Sequence, residues 1–320
     1  MRNLLSNDVM PRALLWVSID CERDKGPRWR VRRPASFEGV REGVAARLHP
    51  LFARYGVKPT YLLSPEVIRD EASADRFARL PGSFELGTHL HAEYVDPDAD
   101  DDAESSTFQA ALPPHIERAK LVNLTELFAS RYGTRPRSFR AGRFGIGAAS
   151  LGILADLGYR VDSSVTPLLD WRRAGAGAPS FADAPLGAYH PDPVRPWRPG
   201  ASPLWEIPVT IRPGFWRRLP GVGRLLGRRL PVRWLRPTWG SARRLVELAA
   251  DVLREARPGA PPVALNVMLH NVEVTPGMSP YARRPGDADA IVRRLAALLA
   301  FARDAGVASI GLGDAPEHLS

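Results

Sequence analysis

Seven residues able to do chemistry each follow a short apolar run. Asp20 and Glu22 follow ALLWVSI (13–19), His89 and His91 follow FELGT, Arg140 follows RSF, Asp162 follows YRV, and His270 follows VALNVML (263–269). Two histidines with a carboxylate make a ligand set for a divalent ion that leaves a coordination position open, and such an ion polarises a carbonyl and lowers the pKa of water. Amide hydrolysis then needs a second carboxylate to take the proton from water and an acid to protonate the departing amine, because an amide anion cannot leave near neutral pH. Asp20 and His270 are the candidates for base and acid. Arg140 would hold Asp20 ionised by charge pairing, and Asp162 would orient His270 and favour its protonated form. Each has a plainer reading as well: Asp162, before Ser163 and Ser164, suits a cap, and Arg140 suits a structural ion pair.

Short apolar runs alternate with longer amphipathic stretches, the form taken by strand-helix units around a parallel sheet. The run 13–19 predicts the first strand, and PTYLLS, FELGTH, RSFR and YRVD predict strands near 59, 84, 137 and 159. EGVREGVAARLHPLFARYG predicts a helix stopping at Gly56. Another helix, from Pro114 to Tyr132, has Pro at its start, apolar Ile116, Leu121, Leu124, Leu127 and Phe128 on one side, and Gly133 past its end. In a strand-helix barrel all carboxyl ends of the strands open on one face, so one cavity would collect all seven residues.

Alternation along an extended strand puts Asp20 and Glu22 on one side and Cys21 on the other, which favours Glu22 as a ligand and Cys21 as core. The same alternation turns His89 and His91 to one face, with Glu93 and Cys21 as the alternatives for completing a metal site. His49, His115, His190 and His318 read as ordinary histidines, and Glu273 and Tyr281 as pocket or loop residues.

The chain of 320 residues is 44% hydrophobic, enough for a large core, and its single cysteine excludes an intramolecular disulfide. The first ten residues lack the apolar stretch of a secretory signal and no apolar run approaches a bilayer span, so the expected location is cytoplasmic, with any membrane contact peripheral at the inner face. The net charge of +9 is concentrated in 212–239, which holds eight arginines and no acidic residue, whereas 93–104 is acidic. Aromatic and arginine residues interleaved in 212–239 suit peripheral contact with anionic membrane. No nucleic-acid motif accompanies the charge, and nucleic-acid binding is not expected. Residues 1–12 read as a tail, 13–320 as a single barrel domain, and 163–240 as a Pro/Gly-rich and then Arg/Trp-rich elaboration of it.

In their order, SIDCE, ELGTHLHAE, FRAGRFG, VDSS and MLHNVEVTPGMSPY resemble the five motifs of the NodB-homology polysaccharide deacetylases, carbohydrate esterase family 4, most closely its WalW-like branch. The resemblance runs from Leu14 to Gly311. It implies an α/β fold, a distorted barrel of seven or eight strands, and a divalent ion, zinc with cobalt or manganese as alternatives. It also implies removal of N- or O-acetyl groups from carbohydrate. With the chain expected inside the cell, the substrate reads as an amino sugar or glycan precursor, lipid-linked ones included. The bond reads as an N-acetyl or N-formyl amide, a carbon–nitrogen bond other than a peptide bond, with an O-acetyl ester or a small-molecule amide as alternatives. By position, Asp20 matches the family's base, His89 its first metal histidine, Arg140 the arginine tethering the base, His270 the acid and Asp162 the acid's support. The family's metal aspartate directly after the base is replaced here by Cys21. Its second metal histidine falls at Glu93, leaving His91 two residues after His89. An inactive glycan-binding barrel and a basic peripheral membrane scaffold are the alternatives to an enzyme.

Overall fold

The structure is a computed structural model describing residues 13–100, 107–214 and 231–319. Its frame is an eight-stranded sheet in which every pairing is parallel, curled into a distorted barrel with helices packed outside. The strands are β1 (Ala13–Cys21), β2 (Thr60–Leu63), β3 (Glu85–Leu90), β4 (Ser138–Ala141), β5 (Val161–Asp162) and β6 (Trp205–Glu206). A two-stranded antiparallel ribbon, β7 (Ile211–Pro213) and β8 (Val232–Trp234), stands beside the barrel, whose frame is completed by β9 (Val263–His270) and β10 (Ala308–Ser309). β6 lies within the stretch 163–240, so part of that elaboration belongs to the barrel wall itself.

β1 is the axis of the arrangement. All nine of its residues are buried, which is why it reads in sequence as an apolar run. β9 pairs along one edge from Ala13↔Val263 to Asp20↔His270, while β2 and the short β10 share the other edge. Its side chains divide by alternation: Leu15, Val17, Ile19 and Cys21 enter the larger core beneath the helices, whereas Leu14 and Trp16 enter a smaller one. Above Leu14 and Trp16 on that second face come Ser18 and Asp20.

The helices end as their sequences predict. Gly56 and Gly133 close the helices ending at Tyr55 and Tyr132 with φ of 65° and 70°, the left-handed region that glycine enters without a side-chain clash. The first helical stretch begins with wider π-type turns over Gly39–Leu48 before His49–Tyr55 continues as an α-helix. His49 is a satisfied core histidine between the Tyr61 hydroxyl at 3.0 Å and the Pro81 carbonyl at 2.6 Å.

Between β6 and β9 the barrel is closed by a seam. Thr210 N donates to Asn266 O at 3.0 Å, Asn266 N to Thr210 Oγ1 at 2.8 Å, and the Asn266 side-chain amide to Ile207 O at 2.9 Å. Among the described residues no helix is long and apolar enough to cross a membrane. Phe215, Trp216, Arg217, Arg218, Arg224, Leu225, Leu226, Arg228 and Arg229 of the basic segment lie outside the described residues. Of its other arginines, Arg212 pairs with Glu255, Arg233 with Asp251 and Arg236 with Glu273.

Candidate functional site

The carboxyl ends of the strands surround a cavity of about 630 Å³ lined by Asp20, Glu22, His89, His91, His270 and Tyr281 among others. That volume lies in the range of small-molecule sites. Asp20 and His270 occupy opposed positions of parallel neighbours β1 and β9, so their side chains leave the same face, with His270 Nε2 at 3.8 Å from Asp20 Oδ2. His89 is likewise opposed to Arg140 across β3 and β4.

Arg140 is fully buried and each of its three guanidinium nitrogens donates. Nη1 donates to Asp20 Oδ1 at 2.6 Å, Nη2 to Ser18 Oγ at 2.8 Å and Ser163 Oγ at 2.9 Å, and Nε to Ser163 O at 2.7 Å. Burial alone would raise the Asp20 carboxyl, but Arg140, then His89 and His270, outweigh it and hold the carboxyl below its usual range. The candidate base is therefore ionised and fixed.

Glu22, His89 and His91 form a buried trio whose donor atoms all lie within 4.8 Å of one another. Nε2 of His89 and of His91 approach Glu22 Oε1 at 3.1 and 3.0 Å. Each imidazole is oriented from behind: His89 Nδ1 donates to Arg140 O at 3.0 Å, and His91 Nδ1 faces Glu93 Oε1 at 3.4 Å. With Nδ1 engaged in this way, both Nε2 atoms turn towards one point at Glu22 Oε1, and the partners at Nδ1 are the usual outer support of metal-bound histidines. This chemistry, two imidazole nitrogens and an ionised carboxylate in a buried cluster, fits a divalent ion. Burial would raise Glu22 and lower His91, yet Lys25 and the histidines bring Glu22 well below its usual range, while Glu22 and Glu93 push His91 up to about 9. The cluster favours positive charge.

Glu93 is not directed at the trio as a ligand. Arg143 Nη2 donates to its Oε1 at 2.7 Å, making it the carboxylate behind His91. Cys21 is buried on the opposite side of β1, in the larger core, and its thiol, pushed up by burial and by Asp20 and Glu22, is no ligand candidate. Asn271 clamps Glu22 by accepting from its N at 3.0 Å and donating to its O at 2.9 Å. A side chain at Gly39 would meet Asn271 Nδ2 at 2.8 Å and Asp24 Oδ1 at 2.9 Å, so the close packing behind that clamp requires glycine.

The carboxylate supporting His270 differs from the sequence expectation. His270 Nδ1 donates to Glu273 Oε1 at 2.9 Å, and Glu273 is itself held by Arg236 and the Thr238 hydroxyl. Asp162 is opposed to Phe139 on β4, and Phe139 packs in the larger core, so Asp162 turns to that side and away from the cavity face that carries His270. It pairs instead with Ser164 and Glu206. The alternation that separates Cys21 from Asp20 separates Asp162 from His270 as well. Glu273 follows His270 by three residues on a helical turn, Asn271–Val274, and that spacing is the signal that identifies it.

Lys25, Trp29, Arg143, Phe144 and Arg236 also line the cavity. Lys25 Nζ pairs with Glu22 Oε2 and lies 4.6 Å from the Trp29 ring. Trp29, Arg143 and Phe144 have φ of 62°, 55° and 57°, backbone strain sustained by their surroundings at the cavity wall. An arc of rings runs from His270 through Trp29 (5.0 Å between centroids), Tyr281 (5.5 Å) and Trp239 (5.5 Å) to Trp234 (6.1 Å). Arg236 stacks 4.7 Å from the Trp239 ring.

Comparison with known proteins gives likeness in fold. No family model and no curated protein matches the sequence. Among solved structures, a Mycobacterium smegmatis protein provisionally described as a polysaccharide deacetylase is 17% identical with a TM-score of 0.57, covering 98% of this chain and 92% of its own. A Parabacteroides distasonis protein provisionally described as a glycoside hydrolase/deacetylase is 12% identical with a TM-score of 0.62, covering 97% and 71%. A GH57-type branching enzyme from Pyrococcus horikoshii is 11% identical with a TM-score of 0.52, covering 96% and 70%. A fold shared by deacetylase and branching-enzyme structures does not choose the reaction, so the site residues must.

Proposed function

We propose that the protein is a metal-dependent hydrolase that removes an acetyl or formyl group from an amino sugar or glycan precursor. The observation carrying this reading is the convergence on one cavity of the in-register pair Asp20 and His270 with the trio Glu22, His89 and His91. The resemblance of its five motifs to those of the NodB-homology polysaccharide deacetylases supports this reading, and the ring arc beside Arg236 suits the mixed C–H and hydroxyl surface of a sugar.

Glu22, His89 and His91 would hold a divalent ion, zinc in the first instance, which would supply Lewis-acid chemistry to the hydrolysis. Asp20, kept ionised by Arg140, accepts the proton that water gives up as its oxygen bonds to the acyl carbon. As the carbon–nitrogen bond breaks, His270 donates a proton from Nε2 to the leaving nitrogen, and Glu273 at Nδ1 stabilises the charged imidazole before that transfer. Products are a free amine and acetate or formate. The substrate is an amino-sugar or glycan precursor, free or lipid-linked, and 212–239 would bring the enzyme to an anionic membrane surface that carries it.

The test is elemental analysis of the purified protein, followed by acetate and formate release from candidate amino-sugar precursors. One ion per chain and activity lost on chelation, restored by zinc, cobalt or manganese, are expected. Asp20→Asn should keep the ion with turnover close to background, whereas Glu22→Gln should lose it and be partly rescued by excess zinc. Activity surviving thorough metal removal would overturn the mechanism. Glycan binding without metal or turnover would identify the inactive barrel instead.

A further inference from the structure

Two carboxyl groups outside the hydrolytic machinery lie against its frame. Asp162 and Glu206 stand directly opposite each other on parallel strands β5 and β6, and both are fully buried. Asp162 Oδ1 accepts from Ser164 Oγ at 2.6 Å, and Glu206 Oε1 accepts from Val165 N at 3.0 Å. Their remaining oxygens, Oδ2 and Oε2, find no donor, and the two carboxyls are themselves within hydrogen-bonding reach. Two ionised carboxylates in contact in a dry interior repel, whereas one proton between them turns the contact into a charge-assisted hydrogen bond.

Burial is the main cause that raises both groups above the usual carboxylate range, and the neighbouring Asp162 charge carries Glu206 well above it. The charged and titratable groups acting on the pair are Arg140 from β4, which lowers both from across the sheet, and Tyr189 from the bridge to Glu206. The Tyr189 phenol is buried, donates to Pro196 O at 2.6 Å, and is raised by burial and by the two acids, so it stays neutral.

Ser163 lies between the pair and the base. Its carbonyl and hydroxyl both receive Arg140, and its hydroxyl donates to Ile207 O at 2.7 Å, directly after Glu206. We propose that Asp162 and Glu206 share one proton, and that this proton holds β5 against β6 so that Ser163 keeps Arg140 on Asp20. The pair is then a positioning element for the base. Loss of the proton sets two negative charges side by side, parts the two strands and offers Arg140 a competing anion.

The sign of the pH dependence follows from the raised values. The pair's contribution to stability is complete below the ordinary carboxylate range and is lost as pH rises through its raised value. Glu206→Gln replaces the protonated acid with a neutral group of the same shape and removes this loss. Between about pH 5 and about pH 9 the melting temperature of the wild type should fall further than that of Glu206→Gln, by about 2 °C or more. Asp162→Asn should flatten the curve in the same direction. On the substrate identified for the enzyme, the alkaline limb of kcat/KM should move to higher pH in Glu206→Gln, a change that simple loss of packing would not give. Only this activity measurement rests on the hydrolase reading, since the melting curves need no substrate. Parallel melting curves for wild type and both variants overturn the proposal, as does failure of Glu206→Gln to fold at about pH 5, where a neutral group already occupies the position.

Discussion

His91 and His270 are built alike. Each turns Nδ1 to a buried glutamate a few residues further on, Glu93 or Glu273, and an arginine from elsewhere in the chain, Arg143 or Arg236, holds that glutamate. They differ at Nε2. His91 meets Glu22 at 3.0 Å beside a second imidazole, whereas His270 is 3.8 Å from Asp20 and 3.7 Å from Glu22, with its side chain 12% exposed to the cavity. One support therefore serves two duties. An imidazole closed in by other donors is suited to be a ligand, and one left open on the substrate side is suited to give up a proton.

The largest effect that would separate them is substitution of the histidines themselves. His91→Gln should lose the bound ion and abolish turnover of every substrate. His270→Gln should retain the ion while amide turnover falls by a factor on the order of a hundred or more, with a smaller loss on an activated ester whose leaving group departs without a proton. Ion loss in both variants, or equal loss on amide and ester for His270→Gln, would erase the distinction.

A smaller effect is expected one step outward. Glu93→Gln should weaken metal affinity about 10- to 100-fold and be rescued by added metal. Glu273→Gln should leave metal content unchanged and lower kcat roughly tenfold, without rescue. Metal titration and steady-state kinetics on the two variants decide it.

The smallest effect concerns acid stability. Burial alone would raise Glu273, but Arg236, His270 and Thr238 bring it down to about 2. A depressed carboxylate contributes stability that is present above its ordinary value and lost as pH falls towards the folded value. Glu273→Gln lacks that contribution, so its melting temperature should fall less steeply than the wild type's as pH is lowered from about 5 to about 3. Matching slopes would show that Glu273 is not held as an anion.

Much of this was legible in the chain because strand ends and side-chain alternation are local properties. The apolar runs before Asp20, His89, Arg140 and His270 gave the strands, and the barrel geometry brought their ends together. Period-two alternation placed Cys21 in the core and Glu22 with the histidines, where a motif read by position alone would have put a ligand at Cys21. Asp162, expected behind His270, faces the other side of the sheet because the same alternation continues through β5. The partners that complete the site were out of reach for another reason. Arg143 and Arg236 reach their carboxylates only through tertiary register, and no spacing in the sequence distinguishes them from the many other charged residues.

The seam residue Asn266 touches more than the seam. Its amide nitrogen also donates to Ser163 Oγ at 2.9 Å, and its oxygen accepts from Ser18 Oγ at 3.2 Å, the two hydroxyls that hold Arg140. Asn266, Ser18, Arg140 and Ser163 therefore form a closed ring of hydrogen bonds spanning four staves of the barrel. In mechanical terms the cross-section of the barrel and the aim of Asp20 are one degree of freedom: a barrel that swells at its seam lengthens the same ring that keeps Asp20 in place. On the hydrolase reading, compliance in the scaffold becomes detuning of Asp20, and heat would silence activity by slackening the barrel before it melts.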